Sequence, residues 1–305
     1  MAKMKIKELL EFLTARGEKF EFKGNENEEV YGFSSLKNYK RGTFTWIKNS
    51  TYIPQGMNAG ECTLIITQGD EELPCKNAIY SQMSKRVFFS LVEHFSDVNR
   101  TGEADFEIGN NTYIAPGASI GENTKIGHNC TIDGEVSIGG NCSIGSNVSI
   151  LGKVEIGQGT TIQSGVRIGD ADLSYVHDAE GCRKMVKHYG GVKIGENVYI
   201  GANTAISRGT IDDTVIGDET SIDALCHISH NCVLGKKNTI VDGSYLYGSV
   251  ETGDNVYIAS SIIMNQMKLG DNVTVGMNSV VMSNIESGNT VVGTPAKKLI
   301  RKISK

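Results

Sequence analysis

The sequence predicts a parallel β-solenoid preceded by a small α/β domain, and three observations carry that reading. Isoleucine stands at every sixth position from 108 to 168, eleven times in succession, and the period resumes at Ile194. Glycine is abundant, 36 residues against 4 prolines, and often directly follows the large residue of the period, as repeated corners require. Before residue 100 the period is absent, and helix-like and strand-like stretches alternate.

In chain order, residues 1–100 form the α/β domain. An amphipathic helix is expected near residues 4–15, strands near 43–48 and 62–67 ("CTLIIT"), and a second helix over "SQMSKRVFFSLVEHF". "SDVNRTGEAD" is a polar connection into the repeats. The solenoid occupies 101–295, with an excursion at 170–193 whose "DADLSYVHDAEGCRKMVKHYGG" is too polar and irregular to make a coil. Residues 296–305 read as a short basic tail.

A period of six fits neither a helix nor a hairpin sheet, but it fits a short strand plus a corner, repeated. Three such units close a coil of 18 residues, and coils stack as parallel strands ~4.8 Å apart. Four places after each aliphatic sits a small or β-branched residue, from Thr112, Ala118 and Thr124 to Val166, so large and small alternate in a narrow core. Cys130, Cys142, Cys226 and Cys232 occupy that small position and read as packing thiols. The pattern slips by a residue around "RGTIDDTVIG" and continues from Ile216 through Ile222, Ile228, Leu234, Ile240, Leu246, Thr252 and Ile258 to Met264.

Composition narrows the function classes. A formal net charge of −5 offers no general attraction to nucleic acid, and none is expected as a partner. No stretch reaches a membrane span and the N-terminus lacks a signal-peptide core, so a cytoplasmic protein without membrane insertion is expected. Seven cysteines without a CxxC pair suit a reducing compartment.

Positions 18 apart share one corner of the solenoid. His230, Gly248 and Gln266 each fall two places after a core aliphatic, which puts all three in one column. An imidazole beside a glycine joins a base that works near neutral pH to an accessible peptide N–H for an oxyanion. Asp223, seven residues before His230, is placed to hold the other ring nitrogen. Such a set suits acyl transfer from a thioester to an amine or hydroxyl. A zinc lyase built on the same kind of solenoid would need three protein ligands. His227 and His230 find no third histidine in register: His128 is distant, while His177 and His188 lie in the excursion. No metal site is expected. A non-enzymatic scaffold would show repeated threonine columns, and mixed polar residues stand there instead.

The segment "IGANTAISRGTIDDTVIGDETSIDALCHISHNCVLG", with R-G-x-x-D-D-T and I-D-x-x-x-x-I-x-H-N, resembles the middle of the UDP-3-O-acylglucosamine N-acyltransferase family of the lipid A pathway. That resemblance implies a left-handed parallel β-helix of hexapeptide repeats and a homotrimer with sites between chains. It implies His230 as general base, Asp223 as its partner and Gly248 as oxyanion donor. In "WIKNSTY" it implies that Trp46, Asn49 and Tyr52 bind a uracil ring, and in the excursion that Tyr175 approaches the sugar or its phosphates. The chain departs from the family at Asn265-Gln266-Met267, where a second histidine follows Asn-Gly, and at "DLSY", where the family has G-F-G-Y. Asn265 and Gln266 are therefore expected to line the acceptor pocket. The close "VVGTPAKKLIRKISK" resembles hexapeptide acetyltransferases that act on nucleotide-linked amino sugars with acyl-CoA. Lys297, Lys298 and Arg301 are then either contacts for coenzyme A phosphates or a solvated basic tail. The expectation is an N-acyltransferase without a tightly bound cofactor, taking an acyl group from acyl-CoA or acyl carrier protein to a UDP- or dTDP-linked amino sugar. The lipid A enzyme proper is the alternative.

Overall fold

The computed structural model describes residues 3–53, 59–69, 73, 75–98 and 108–298. The chain divides into two compact units, Met1–Ala104 and Asp105–Lys305.

In the first unit, helix α1 (Ile6–Ala15) buries Ile6, Leu9 and Leu13, spaced along one face. Its first turn is closed by the Lys5 N–H, which donates to the Glu8 carboxylate at 2.7 Å. Helix α2 (Ser84–Val98) buries Val87, Leu91 and Phe95, one turn apart. Both pack on a four-stranded sheet in the order Glu21–Lys23, Ala78–Tyr80, Leu64–Thr67, Phe44–Ile47. Leu64–Thr67 is buried along its whole length, as a central strand of a covered sheet must be. The sequence pattern predicts both helices and the Phe44 and Leu64 strands. It misses Glu21–Lys23 and Ala78–Tyr80, which at three residues each are too short to show a period.

The second unit is the solenoid. Three parallel sheets of nine, eight and ten strands form its sides, the last ending in one antiparallel edge strand. Coils stack in register, so Ile132 pairs with Ile150 and Ile150 with Ile168. These isoleucines are fully buried, each worth about 1.5–3 kcal/mol of apolar burial. Three places after the core residue the backbone turns left-handed, and asparagine usually stands there, as at Asn123, Asn141, Asn147 and Asn231. Asparagine tolerates that conformation, and its side chains run in ladders between coils, such as Asn255 Nδ2 to Asn272 Oδ1 at 2.8 Å. The inward thiols hydrogen-bond as well as pack. Cys130 Sγ donates to the Gly145 carbonyl at 3.1 Å, just as Thr124 Oγ1 donates to that of Gly139 at 2.8 Å. Burial pushes the Cys232 thiol up to about 12 and Cys226 to about 11, which removes them from thiolate chemistry.

Two register expectations need correction. At "RGTIDDTVIG" the slip is four residues, because Ile206 pairs with Ile228, 22 positions on rather than 18. Further along, the coil is one residue short: Leu246 pairs with Ile263, which is fully buried, while Met264 is only half-buried. The short turn passes through Ser260 in a left-handed conformation. Ser261 Oγ bonds the Ala259 carbonyl at 2.6 Å and the Gly276 carbonyl at 2.9 Å.

The excursion contains regular structure, an antiparallel hairpin of Tyr175–His177 with Arg183–Met185. Lys297–Lys298 form the edge strand on Thr290–Val292, so the expected tail begins as part of the solenoid; Arg301 lies outside the described residues. Among the described residues no helix is long and apolar enough to cross a membrane.

Candidate active site

The turn at 207–213, in a coil four residues longer than the repeat, builds the support of the site. Arg208 turns back over Gly152; its Nε donates to the Gly169 carbonyl at 2.6 Å and its Nη2 to the Leu151 carbonyl at 2.9 Å. Asp213 accepts the Gly191 N–H at 2.7 Å. The R-G-x-x-D-D-T segment therefore ties down both the departing and the returning leg of the excursion. Gly209 makes the turn possible, since a Cβ there would fall 1.7 Å from the Asp212 carbonyl oxygen.

His230 follows the strand His227–Ile228, with a half-buried side chain. Its Nδ1 lies 3.1 Å from Asn231 Oδ1. The orientation of that amide is set by its other contacts. Asn231 Nδ2 donates to the Asp212 carbonyl at 2.9 Å, and Oδ1 accepts the Thr210 N–H at 3.0 Å. An oxygen only accepts, so in the neutral ring the proton sits on Nδ1 and the lone pair on Nε2. Gly248 stands on the next coil against this nitrogen: a Cβ there would lie 2.7 Å from both Nε2 and Cε1. At several other corners the equivalent peptide N–H is taken by a side chain one coil on, as His128 N–H by Ser146 and Lys236 N–H by Asp254. Among the described residues no acceptor takes the Gly248 N–H. An imidazole nitrogen and an open peptide donor therefore stand side by side.

A carboxylate that sequence reasoning missed sits at the same corner. Asp172, on the departing leg, accepts a hydrogen bond from Ser229 Oγ through its Oδ2. The same oxygen lies 3.5 Å from His227 Nε2 and 3.4 Å from the His230 backbone N. The hydrogen bond from His227, with that from Ser229 and the charge of His227, holds the Asp172 carboxyl well below the usual carboxylate range against the opposing effect of burial. The signal available in the sequence was one aspartate among several in a polar loop, with nothing to say where it lands.

The other expected residues are distributed as follows. Asp223 is exposed, and its Oδ1 caps the Ala224 N–H at 2.7 Å; the partner of the His230 ring in this chain is Asn231. Because the coil after Leu246 is one residue short, Asn265 and not Gln266 continues the column of His230 and Gly248. Gln266 occupies the left-handed corner with Asn231 and Ser249, its N–H bonded to the Gly248 carbonyl at 2.9 Å. Tyr175 lies under Arg183, whose guanidinium is 4.5 Å from its ring centre. Lys297 and Lys298 are exposed. In the first unit, Trp46 packs against the core with Nε1 donating to Ser84 Oγ at 3.0 Å. Asn49 caps the turn that follows through Thr51, and Tyr52 is 59% exposed. Among the described residues no three histidine, cysteine or acidic side chains are grouped to hold a metal ion.

Comparison with known proteins bears on the solenoid. The model described as bacterial transferase hexapeptide (six repeats) matches residues 103–134 and 135–170, and the hexapeptide repeat of succinyl-transferase matches 191–224. The UDP-3-O-acylglucosamine N-acyltransferase of Helicobacter pylori is 45% identical over 84 residues, 28% of this chain and 25% of that one. UDP-3-O-acylglucosamine N-acyltransferase 2 of Legionella pneumophila is 42% identical over 125 residues, 41% of this chain and 36% of that one. The matched stretch thus spans between a quarter and just over a third of these relatives' length. Among solved structures, a UDP-N-acetylglucosamine acyltransferase from Bacteroides fragilis superposes with a TM-score of 0.57 at 26% identity, covering 62% of this chain and 72% of the other. These likenesses and the sheet ladders identify the second unit as a left-handed parallel β-helix built of the hexapeptide repeats of bacterial transferases, similar over part of its length to UDP-3-O-acylglucosamine N-acyltransferases.

Proposed function

We propose that the protein is an N-acyltransferase that moves an acyl group from a thioester to the amine of a UDP-linked amino sugar, with UDP-3-O-acylglucosamine the first acceptor to test. The observation that carries this reading is the Gly248 N–H, left without an acceptor beside Nε2 of His230, the lone-pair nitrogen of its neutral ring. His230 takes a proton as the sugar amine attacks the thioester carbonyl. The N–H of Gly248 meets the oxyanion of the tetrahedral intermediate. Collapse breaks the carbon–sulfur bond, forms the amide and expels a thiolate, to which His230 returns the proton. A positioned base contributes roughly 10²–10⁴-fold and an oxyanion donor roughly 10²–10³-fold. Asn231 keeps the ring in the tautomer that this sequence of steps needs.

The likeness to UDP-3-O-acylglucosamine N-acyltransferases favours the UDP-linked acceptor over a dTDP-linked one. The donor, acyl-CoA or acyl carrier protein, and a homotrimeric assembly belong to the same proposal. The test is amide formation, followed by mass spectrometry, across UDP- and dTDP-amino sugars with each donor. His230→Ala should lower turnover by at least a hundredfold while the protein stays folded. Near-normal turnover by that variant would remove the mechanism.

A further inference from the structure

His188 lies on the returning leg of the excursion, next to Tyr189, whose N–H donates to the Thr210 carbonyl at 2.8 Å. It is 2% exposed, and neither Nδ1 nor Nε2 has a hydrogen-bond partner. Its ring meets that of His230 edge to face, with centroids 5.5 Å apart and planes at 69°. Buried polar atoms in native proteins are nearly always paired, so an imidazole with both nitrogens unpaired calls for a cause. Packing alone does not supply one, because an apolar side chain would fill the space without unpaired nitrogens.

The neighbouring ring supplies it. In the reaction proposed above, His230 becomes an imidazolium between uptake of the amine proton and its return to the thiolate. A neutral imidazole carries a lone pair as well as an N–H, and an acceptor held beside a forming cation is useful only once the charge exists. Asp172 does not fill this role, because its Oδ2 is engaged by Ser229, His227 and the His230 backbone N–H. We propose that His188 is a positioning residue for His230, the lone pair of its unpartnered ring favouring the imidazolium form of the neighbouring ring until the proton passes to the thiolate. The excursion thus acts on the reaction through a second histidine. This inference rests on the acyl-transfer reading.

The test compares His188→Phe, which keeps a ring and removes both nitrogens, with His188→Gln, which restores an acceptor. His188→Phe is expected to lower kcat about tenfold to a hundredfold, the range of one hydrogen bond to a charged group. The acceptor KM should stay within about twofold, as befits an interaction made only when charge develops. The melting temperature should hold or rise, since two unpaired nitrogens are removed, and His188→Gln should recover most of the lost rate. If phenylalanine prevents folding, His188→Leu makes the same comparison with a smaller side chain. A kcat within about twofold of the unaltered protein, a loss confined to KM, or no recovery with glutamine would overturn the role of His188 alone. Absence of turnover by the unaltered protein with every donor and acceptor would remove the acyl-transfer reading and this inference together.

Discussion

Gly248 leaves no room for a side chain on the face it turns to His230: a Cβ would stand 2.7 Å from the imidazole Nε2, the atom assigned the proton transfer. The glycine therefore serves two ends, an open N–H and space for the ring. Gly248→Ala should displace the imidazole and lower kcat by about a hundredfold or more, in line with the loss of an aligned base. Its phi angle is not in the left-handed region, so the unfolding midpoint should move little. Steady-state kinetics and thermal melting of one preparation check both halves.

Asp172 links the excursion to the His227–His230 corner, and the link should respond to pH. Its folded pKa lies below the ordinary value of about 3.9, chiefly through the hydrogen bond from His227. A depressed carboxylate contributes stability that is complete above the unfolded value and is lost as pH falls through the folded one. Amide exchange in residues 170–191 should be slow from neutral pH down to about 4 and quicken, relative to the solenoid coils, in stronger acid. Asp172→Asn should show the fast behaviour already at neutral pH.

In the first unit the two aromatic rings expected to bind a nucleotide base stand in different surroundings. Trp46 is tied to Ser84 and packed on the core, so Trp46→Ala should cost about 2–3 kcal/mol of that unit's stability. Tyr52 is mostly exposed and should be removable without such a cost. Tyr52→Ala is expected to weaken UDP binding about fivefold or more at unchanged stability, the worth of one stacked ring. Calorimetric titration with UDP separates this from a purely surface role.

Leu225 occupies the left-handed corner position, φ 58°, that asparagine fills on most coils, and it is 61% exposed. A leucine there bears a steric cost of about 1–2 kcal/mol that asparagine largely escapes. Leu225→Asn should therefore stabilise the chain by about 1 kcal/mol, read as a higher denaturant midpoint at constant slope.

Much of the site's scaffold was legible without coordinates. His230 and Gly248 meet because the distance between them equals one coil, and a constant period converts sequence separation into contact. The same reasoning failed where the period changed. One residue lost between Ile258 and Ile263 moved Gln266 out of the column and Asn265 into it. Four residues gained after Ile206 made the support for the excursion. A change of coil length leaves little trace in the composition of a turn, and only strand pairing reveals which aliphatic has taken the inner place.

Asn231 shows the limit most clearly. Its type was predictable from the corner it occupies, where a left-handed backbone favours asparagine. Its role as the partner of His230, in place of Asp223, depends on Thr210 and Asp212 approaching from the bulge to turn its amide. Asp172 and His188 are more remote still, 58 and 42 residues before His230 in a segment with no period. The sequence by itself determined the rungs, the inward and outward faces and the juxtaposition of His230 with Gly248, because these follow from a backbone repeat that each hexad states locally. The tertiary structure alone decided which side chains surround that histidine, because a loop's landing place depends on contacts between distant segments that no local pattern encodes.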